Sequence, residues 1–296
     1  MDAVSRIRVF DGGVAIITGG ASGIGRALGE ALAERGADVV LADVQRELVD
    51  DVAAQMRSRG LKASAAYLDV VDHDSVKRLV DETKKERGRL DYMFNNAGIG
   101  AGGELIDHTM ENWNRILDVN LKGVIHGVHV AYPVMIEQGY GHIVNTASMQ
   151  GLLPAPLTAS YATTKYAVVG LSKALRAEAA SKGIRVSVLC PGVIRTPLLG
   201  GGVHGIPHPS ISKETQREWT ERYFERFRPM NATEFARKVL RQLTRNKAII
   251  VVPSWWKVLW WLDRASPTLS IVLARRIFES AVRELTKISD AGRRAE

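Results

Sequence analysis

Through the first 190 residues of this 296-residue chain, short apolar runs alternate with stretches of helical periodicity, and few architectures accept that pattern. Val14-Ala-Ile-Ile-Thr18 is rich in β-branched residues and reads as a strand. Ile24, Ala27, Leu28, Ala31 and Leu32 then recur at helical spacing until Gly36 marks a stop. Further strands are predicted at Val39–Ala42, Ala63–Leu68, Leu90–Phe94, His142–Thr146, Arg185–Leu189 and Ala248–Val252, with helical stretches between most of them. Strand–helix alternation implies right-handed crossovers and a parallel sheet covered on both faces. Near-continuous apolar strands suit burial on both sides. The predicted class is therefore α/β, a doubly wound parallel sheet in one domain over residues 1–253, with a helical C-terminal extension over 254–296. Ligands of such sheets sit beyond the carboxyl ends of the strands, where strand order reverses. The residues just after each strand are the ones to inspect for chemistry.

Thr18-Gly-Gly-Ala-Ser-Gly-Ile-Gly25 follows the first strand and opens the first helix. Gly19, Gly23 and Gly25 allow a tight turn, let backbone approach a pyrophosphate and let helix pack close to strand. The helix N-terminus then offers unpaired N–H groups and a positive dipole end to phosphates. Asp43 follows the second strand, where a carboxylate can accept both ribose hydroxyls of an adenosine and would repel a 2′-phosphate. NAD is the expected cofactor, ahead of NADP. Neither Ser22 nor Val44 supplies a cation for a 2′-phosphate, although Arg46 lies nearby.

Tyr161 and Lys165 are spaced i,i+4, so on a helix they share one face. A free phenol has a pKa of roughly 10, too high for a good base at neutral pH, and a nearby ammonium favours the phenolate. Such a phenolate can take a proton from a hydroxyl group, and the phenol can return one to a carbonyl oxygen. Ser148, at the end of the predicted strand His142–Thr146, can hold and polarise the substrate oxygen. Asn120 lies inside a helical pattern where an amide competes with the backbone for hydrogen bonds.

Taken in order, Thr18–Gly25, Asn95-Asn-Ala-Gly98, Asn120, Ser148, Tyr161-Ala-Thr-Thr-Lys165 and Pro191-Gly-Val-Ile-Arg-Thr196 resemble the motifs of the short-chain dehydrogenase/reductase family. The resemblance covers roughly residues 12–252 and implies a Rossmann fold. It implies a catalytic set of Asn120, Ser148, Tyr161 and Lys165, with Lys165 also reaching the nicotinamide ribose and Asn120 holding a proton-relaying water. For the cofactor it implies Gly19, Ser22, Gly23, Ile24 and Gly25 in the turn, Asp43, then Asp69 and Val70 near the adenine. Asn96, Ala97 and Gly98 follow the fourth strand, and Pro191, Gly192, Ile194 and Thr196 lie around the nicotinamide. It also implies a homodimer or homotetramer that pairs long helices.

Residues 1–212 hold 22 Lys+Arg against 22 Asp+Glu, whereas residues 213–296 hold 18 against 10, so the net charge of +8 lies wholly in the last part. Such an excess suits a solvated helical surface or an anionic membrane surface. With no recognised DNA-binding motif, nucleic acid is not an expected partner. The single cysteine, Cys190, excludes an intrachain disulfide, and Met1–Gly13 has no apolar run of signal-peptide length, so a cytoplasmic location is expected. Leu198–Ser212, with three consecutive glycines, lies in an expected substrate lid spanning about 197–230. Its His204 and His208 have no neighbouring Cys or carboxylate, so no metal site is expected.

Ser254–Leu262 holds four of the six tryptophans, and Ile271–Phe278 gives a second helical run. Both are too short to span a bilayer. Residues 255–278 can pack on the substrate mouth, on a partner subunit, or at a membrane interface. Leu152–Leu157 adds apolar character near Ser148, so the expected substrate is a hydrophobic secondary alcohol or ketone, steroid-like or lipid-like. Two other functions compete: a non-catalytic NAD-binding regulator, and a peripheral membrane or assembly protein acting through the tryptophan-rich tail.

Overall fold

The computed structural model describes residues 9–200 and 213–293. Its strands are β1 (Val14–Thr18), β2 (Asp38–Asp43), β3 (Ala63–Tyr67), β4 (Tyr92–Asn95), β5 (Gly141–Thr146), β6 (Ile184–Pro191) and β9 (Ile249–Val252), with a short pair β7 (Ile194–Arg195) and β8 (Met230–Asn231). The helices are α1 (Gly23–Ala33), α2 (Arg46–Ser58), α3 (His73–Arg87), α4 (Met110–Leu117), α5 (Gly123–Gln138), α6 (Ala159–Ala179), α7 (Lys213–Glu225), α8 (Ala232–Thr244), α9 (Trp256–Ala265) and α10 (Pro267–Arg293).

The main sheet runs β3-β2-β1-β4-β5-β6-β9 with every pairing parallel. Strand order reverses between β1 and β4, which sets the ligand crevice there. Successive residues of a strand face opposite layers. Ile17 and Leu41 point to a core built with Leu28 and Leu32 of α1, Val52 and Met56 of α2, and Phe235 and Val239 of α8. Ile16 and Val40 point the other way, to Val76 and Val80 of α3, Val124 and Met135 of α5, and Val168 of α6. The expected two-sided burial explains why the strands carry no polar alternation.

Observed strand ends differ from the predicted ones by a residue or two. At β4 the reason is local. Asp91 is fully buried, and its carboxylate accepts the Val14 N–H at 2.9 Å. The Asp91 N–H donates to the Val14 carbonyl at 2.9 Å, so side chain and main chain together hold Val14, and the regular strand begins at Tyr92, two residues after the predicted Leu90. Among the described residues, no helix is long and apolar enough to cross a membrane.

Candidate active site

The ends of six strands converge on one cavity of about 900 Å³. Gly19, Ser22, Gly23 and Ile24 line it after β1, Asp43 at the end of β2, and Asp69 and Val70 after β3. Asn96, Ala97 and Gly98 line it after β4, Ser148 after β5, and Pro191 and Gly192 at the end of β6. Tyr161 and Lys165 of α6, with Ile194 and Thr196, complete the predicted set found in this wall.

Two predicted residues stand behind the wall. A side-chain carbon at Gly25 would fall 2.0 Å from the Gly19 carbonyl oxygen, so this glycine serves the close packing of α1 on the turn. Asn120 is fully buried in a single π-helical turn, Asp118–Lys122, between α4 and α5. Its Nδ2 donates to the Ile99 carbonyl at 2.9 Å and its Oδ1 accepts the Ile99 N–H at 2.8 Å. The widened turn frees a residue to point inward, as such turns do at functional sites. Asn120→Ala should leave both Ile99 groups without partners and cost about 2 kcal/mol of stability or more. Urea unfolding measures this, and an unchanged midpoint would rule the account out.

The nucleotide end fits an anionic, dihydroxylated ligand. Ser22 at the start of α1 makes no side-chain cap, and Ser22, Gly23 and Ile24 line the cavity. An uncapped helix N-terminus beside a cavity is a natural seat for a phosphate. Asp43 is buried, and its two oxygens each accept one backbone N–H, from Ala21 and from Gln45, both at 3.0 Å. A carboxylate has acceptor capacity for more than one bond per oxygen, so both remain able to take ribose hydroxyls. Arg46 lies over the Tyr67 ring at 4.8 Å from its centre and is engaged there. Asn96 ties the strand ends together: Nδ2 donates to the Thr18 carbonyl at 3.1 Å, and Oδ1 accepts from the Thr146 hydroxyl at 3.1 Å.

At the other end, Tyr161, Ser148 and Lys165 meet. Lys165 Nζ sits 5.3 Å from the centre of the Tyr161 ring and donates to the Thr146 carbonyl at 3.0 Å. A side-chain carbon at Gly98 would stand 3.2 Å from Asn120 Oδ1 and 3.5 Å from Lys165 Nζ, so amide and ammonium flank the same small residue. Burial pushes the Tyr161 phenol up to about 12, and a hydrogen bond with Ser148 works against that rise. Burial also lowers the Lys165 ammonium to about 8. The sequence expectation of a phenol made acidic by its neighbouring ammonium is therefore corrected for the chain by itself. Spacing brings the two groups together, but both are out of water, and desolvation penalises the phenolate. The phenol is a neutral proton donor until further positive charge arrives.

The far wall was partly missed from sequence. Trp219, Tyr223 and Phe224 of α7 and Phe227 line the cavity, as do Trp256, Leu259 and Leu262 of α9 and Leu273, Ala274 and Ile277 of α10. Trp219 stacks on Tyr223 at 5.0 Å and Phe227 on Trp256 at 5.9 Å. A side-chain carbon at Gly192 would lie 2.2 Å from the Trp256 indole nitrogen, so that glycine admits the C-terminal segment to the site. The helical spacing of Trp219, Tyr223 and Phe227 was a legible signal for the α7 face. Of the expected Leu152–Leu157, residues 153–157 line the cavity while Leu152 is buried in the core, and α4 adds Glu111, Asn114 and Arg115. Of the expected lid, residues 201–212, with His204 and His208, lie outside the described residues. Among the described residues no group of three His, Cys, Asp or Glu side chains is placed to hold a metal ion.

The short chain dehydrogenase family model matches residues 13–203, and the chain belongs to that family. It is 37% identical over 189 residues to the 3-oxoacyl-[acyl-carrier-protein] reductase FabG of Thermotoga maritima, covering 64% of this chain and 77% of the relative. It is 38% identical over 191 residues to the cyclohexanol dehydrogenase of an Acinetobacter species, covering 64% and 76%. A short-chain dehydrogenase/reductase of Burkholderia phymatum, solved with NAD, superposes with a TM-score of 0.82 at 31% identity, over 88% of this chain and 96% of that one. The chain is thus a nicotinamide-dependent oxidoreductase that interconverts alcohols and ketones.

Proposed function

We propose that this enzyme interconverts an apolar secondary alcohol and its ketone, with NAD as cofactor and Tyr161 as the proton-transferring residue. The observation that carries the reading is a cavity with Tyr161, Ser148 and Lys165 at one end and an aromatic and aliphatic wall from α7, α9 and α10, with the polar Glu111, Asn114 and Arg115 of α4 contributing on another side. When bound, the nicotinamide ring supplies or accepts hydride at the substrate carbon. The chain's own residues do the remainder. Ser148 holds the substrate oxygen, Tyr161 gives or takes its proton, and Lys165 fixes the local charge from 3.0 Å beneath the Thr146 carbonyl. Asn120 sets the backbone at Ile99 and keeps its amide beside Lys165. The cofactor residues are Gly19, Ser22, Gly23, Ile24, Asp43, Asp69, Val70, Asn96, Ala97, Gly98, Pro191, Gly192, Ile194 and Thr196, with Gly25 shaping the turn.

Substrate size and polarity follow from the wall. Replacing water around a rigid apolar body contributes roughly 25 cal/mol per Å² of apolar surface buried, and this wall offers aromatic faces to receive it. A panel of secondary alcohols assayed by NADH absorbance tests the reading. Cyclic and long-chain apolar alcohols should exceed polyols and sugars in kcat/KM by at least about tenfold. Preference for a sugar would overturn it.

The NAD preference is supported by the Asp43 carboxylate, buried between Ala21 and Gln45 with neutral Val44 beside it. Asp43→Asn should raise the KM for NAD and narrow the gap to NADP by about tenfold or more. A gap that stays unchanged, or a wild type that prefers NADP, would remove the assignment. Exposed Ile125 and Ile136 on α5 and Tyr166 on α6 support pairing of copies through these long helices into a homodimer or homotetramer, which light scattering would register.

A further inference from the structure

The C-terminal helices have two apolar faces, and only one is used by the cavity. On α10 the inner face carries Ser270, Ala274 and the buried Ala281. Its outer side carries Leu269, Ile271 and Val272, of which Ile271 is 59% exposed. Trp255, just before α9, and Val258 and Trp261 on it recur at i, i+3 and i+6, with Val258 70% and Trp261 62% exposed. A surface helix is ordinarily polar on its solvent side, and contiguous exposed apolar groups mark an interaction surface.

Three observations say what covers this one. First, the apolar strip is flanked by cations. Arg264 lies over the rings of Trp260 and Trp261 at 5.8 and 5.9 Å, and Arg276 is exposed on α10 next to Arg275, which pairs with Glu279 at 2.8 Å. Second, residues 254–296 hold 8 Lys+Arg against 5 Asp+Glu, a net positive charge on the segment that carries the strip. A second copy brought face to face would oppose cation to cation, whereas anionic headgroups complement them. Third, the strip continues into the cavity: Leu273 and Ile277 line it and are also 38% and 43% exposed. The apolar strip of α10 thus adjoins the cavity wall.

We propose that α9 and α10 seat this enzyme on an anionic membrane surface, with the cavity mouth turned toward the lipid so that an apolar substrate passes from the bilayer into the site. The second half rests on the apolar-substrate reading above; the first does not. Tryptophan rings and aliphatic side chains enter the headgroup boundary while arginine and lysine heads stay at the phosphates.

The test is flotation of the full chain with phosphatidylcholine vesicles, with and without phosphatidylglycerol. The wild type should bind the anionic vesicles at least about tenfold more tightly than the neutral ones. Val258→Glu with Trp261→Glu, neither of which lines the cavity, should lower that binding by about tenfold or more while turnover of a short water-soluble alcohol is unchanged. Arg264→Glu with Arg276→Glu keeps the apolar strip and should abolish the preference for anionic vesicles. A wild type that does not float, or a sedimentation profile in which the Val258 and Trp261 changes split an oligomer, overturns the proposal in favour of a second copy. Flotation intact with no turnover of apolar alcohols overturns the route of substrate access together with the substrate reading, and leaves the docking surface supported.

Discussion

Tyr161→Phe is expected to lower turnover in both directions by roughly 10²–10⁴-fold, the range for loss of one positioned acid–base group, while dinucleotide affinity stays within about threefold. The substitution keeps the ring and its packing near Lys165 Nζ, 5.3 Å from the ring centre, and removes only the hydroxyl. Ser148 loses a partner, but its hydroxyl retains the Gln150 N–H at 3.1 Å and does not collapse into the space. Tryptophan fluorescence quenching by NADH measures binding, and initial rates measure turnover. If the variant kept wild-type turnover, Tyr161 would not be the proton carrier, and a regulator that merely binds the dinucleotide would become the better reading.

The same residue fixes the direction of the pH dependence. Burial holds the phenol protonated up to about 12 in the chain by itself. Reduction of a carbonyl needs a proton donor, and this form supplies one across the whole physiological range. Oxidation needs the deprotonated form, so kcat/KM for the alcohol should rise with pH over the measurable range. Its apparent midpoint should lie below 12 to the extent that bound positive charge offsets the desolvation.

The sequence carried the sheet because its inner strands are buried on both faces and stop at turn residues, so hydrophobic runs and breaks coincided; β3, at the edge with Tyr67 exposed, is the exception. It carried the cavity floor for a related reason: strand ends of a doubly wound sheet are forced together, and the chemistry-bearing residues sit within a few positions of them. Three features lay beyond it. Asn120 read as helical, but whether one extra residue widens a turn depends on what its side chain reaches, and here that is Ile99, 21 positions earlier. The approach of Trp256 to Gly192 joins segments 64 positions apart and has no local signature. The sign of the Tyr161 shift was misread because spacing reveals which charges are close, whereas desolvation depends on how much water the assembled fold excludes.

Lys165→Met should make the protein more stable at neutral pH and far less active. Lys165 is 3% exposed, and burial lowers its ammonium to about 8 from 10.5. Between these values the unfolded chain holds a proton that the folded chain has released, so stability rises with pH across that window. Below about 8 the folded state bears the full cost of a buried cation, on the order of 3 kcal/mol. Methionine fills similar volume without charge and forfeits one hydrogen bond to the Thr146 carbonyl, worth about 1 kcal/mol. The variant should therefore melt higher than wild type at pH 7, and the difference should shrink toward pH 10.5 as the wild-type lysine neutralises. Above pH 10 Tyr161 acts in the opposite sense in both proteins: its folded-state value of about 12 exceeds the unfolded 10, so stability falls as pH climbs from 10 to 12. Turnover of the variant should drop by roughly 10²–10³-fold, as for loss of one preorganised electrostatic group. Melting curves of the two proteins at a series of pH values decide the matter. A variant that melts lower than wild type by the same amount at every pH would show that Lys165 is held for packing alone, whereas a pH-dependent gain with lost turnover identifies a cation kept in the core at the expense of stability because the reaction requires it.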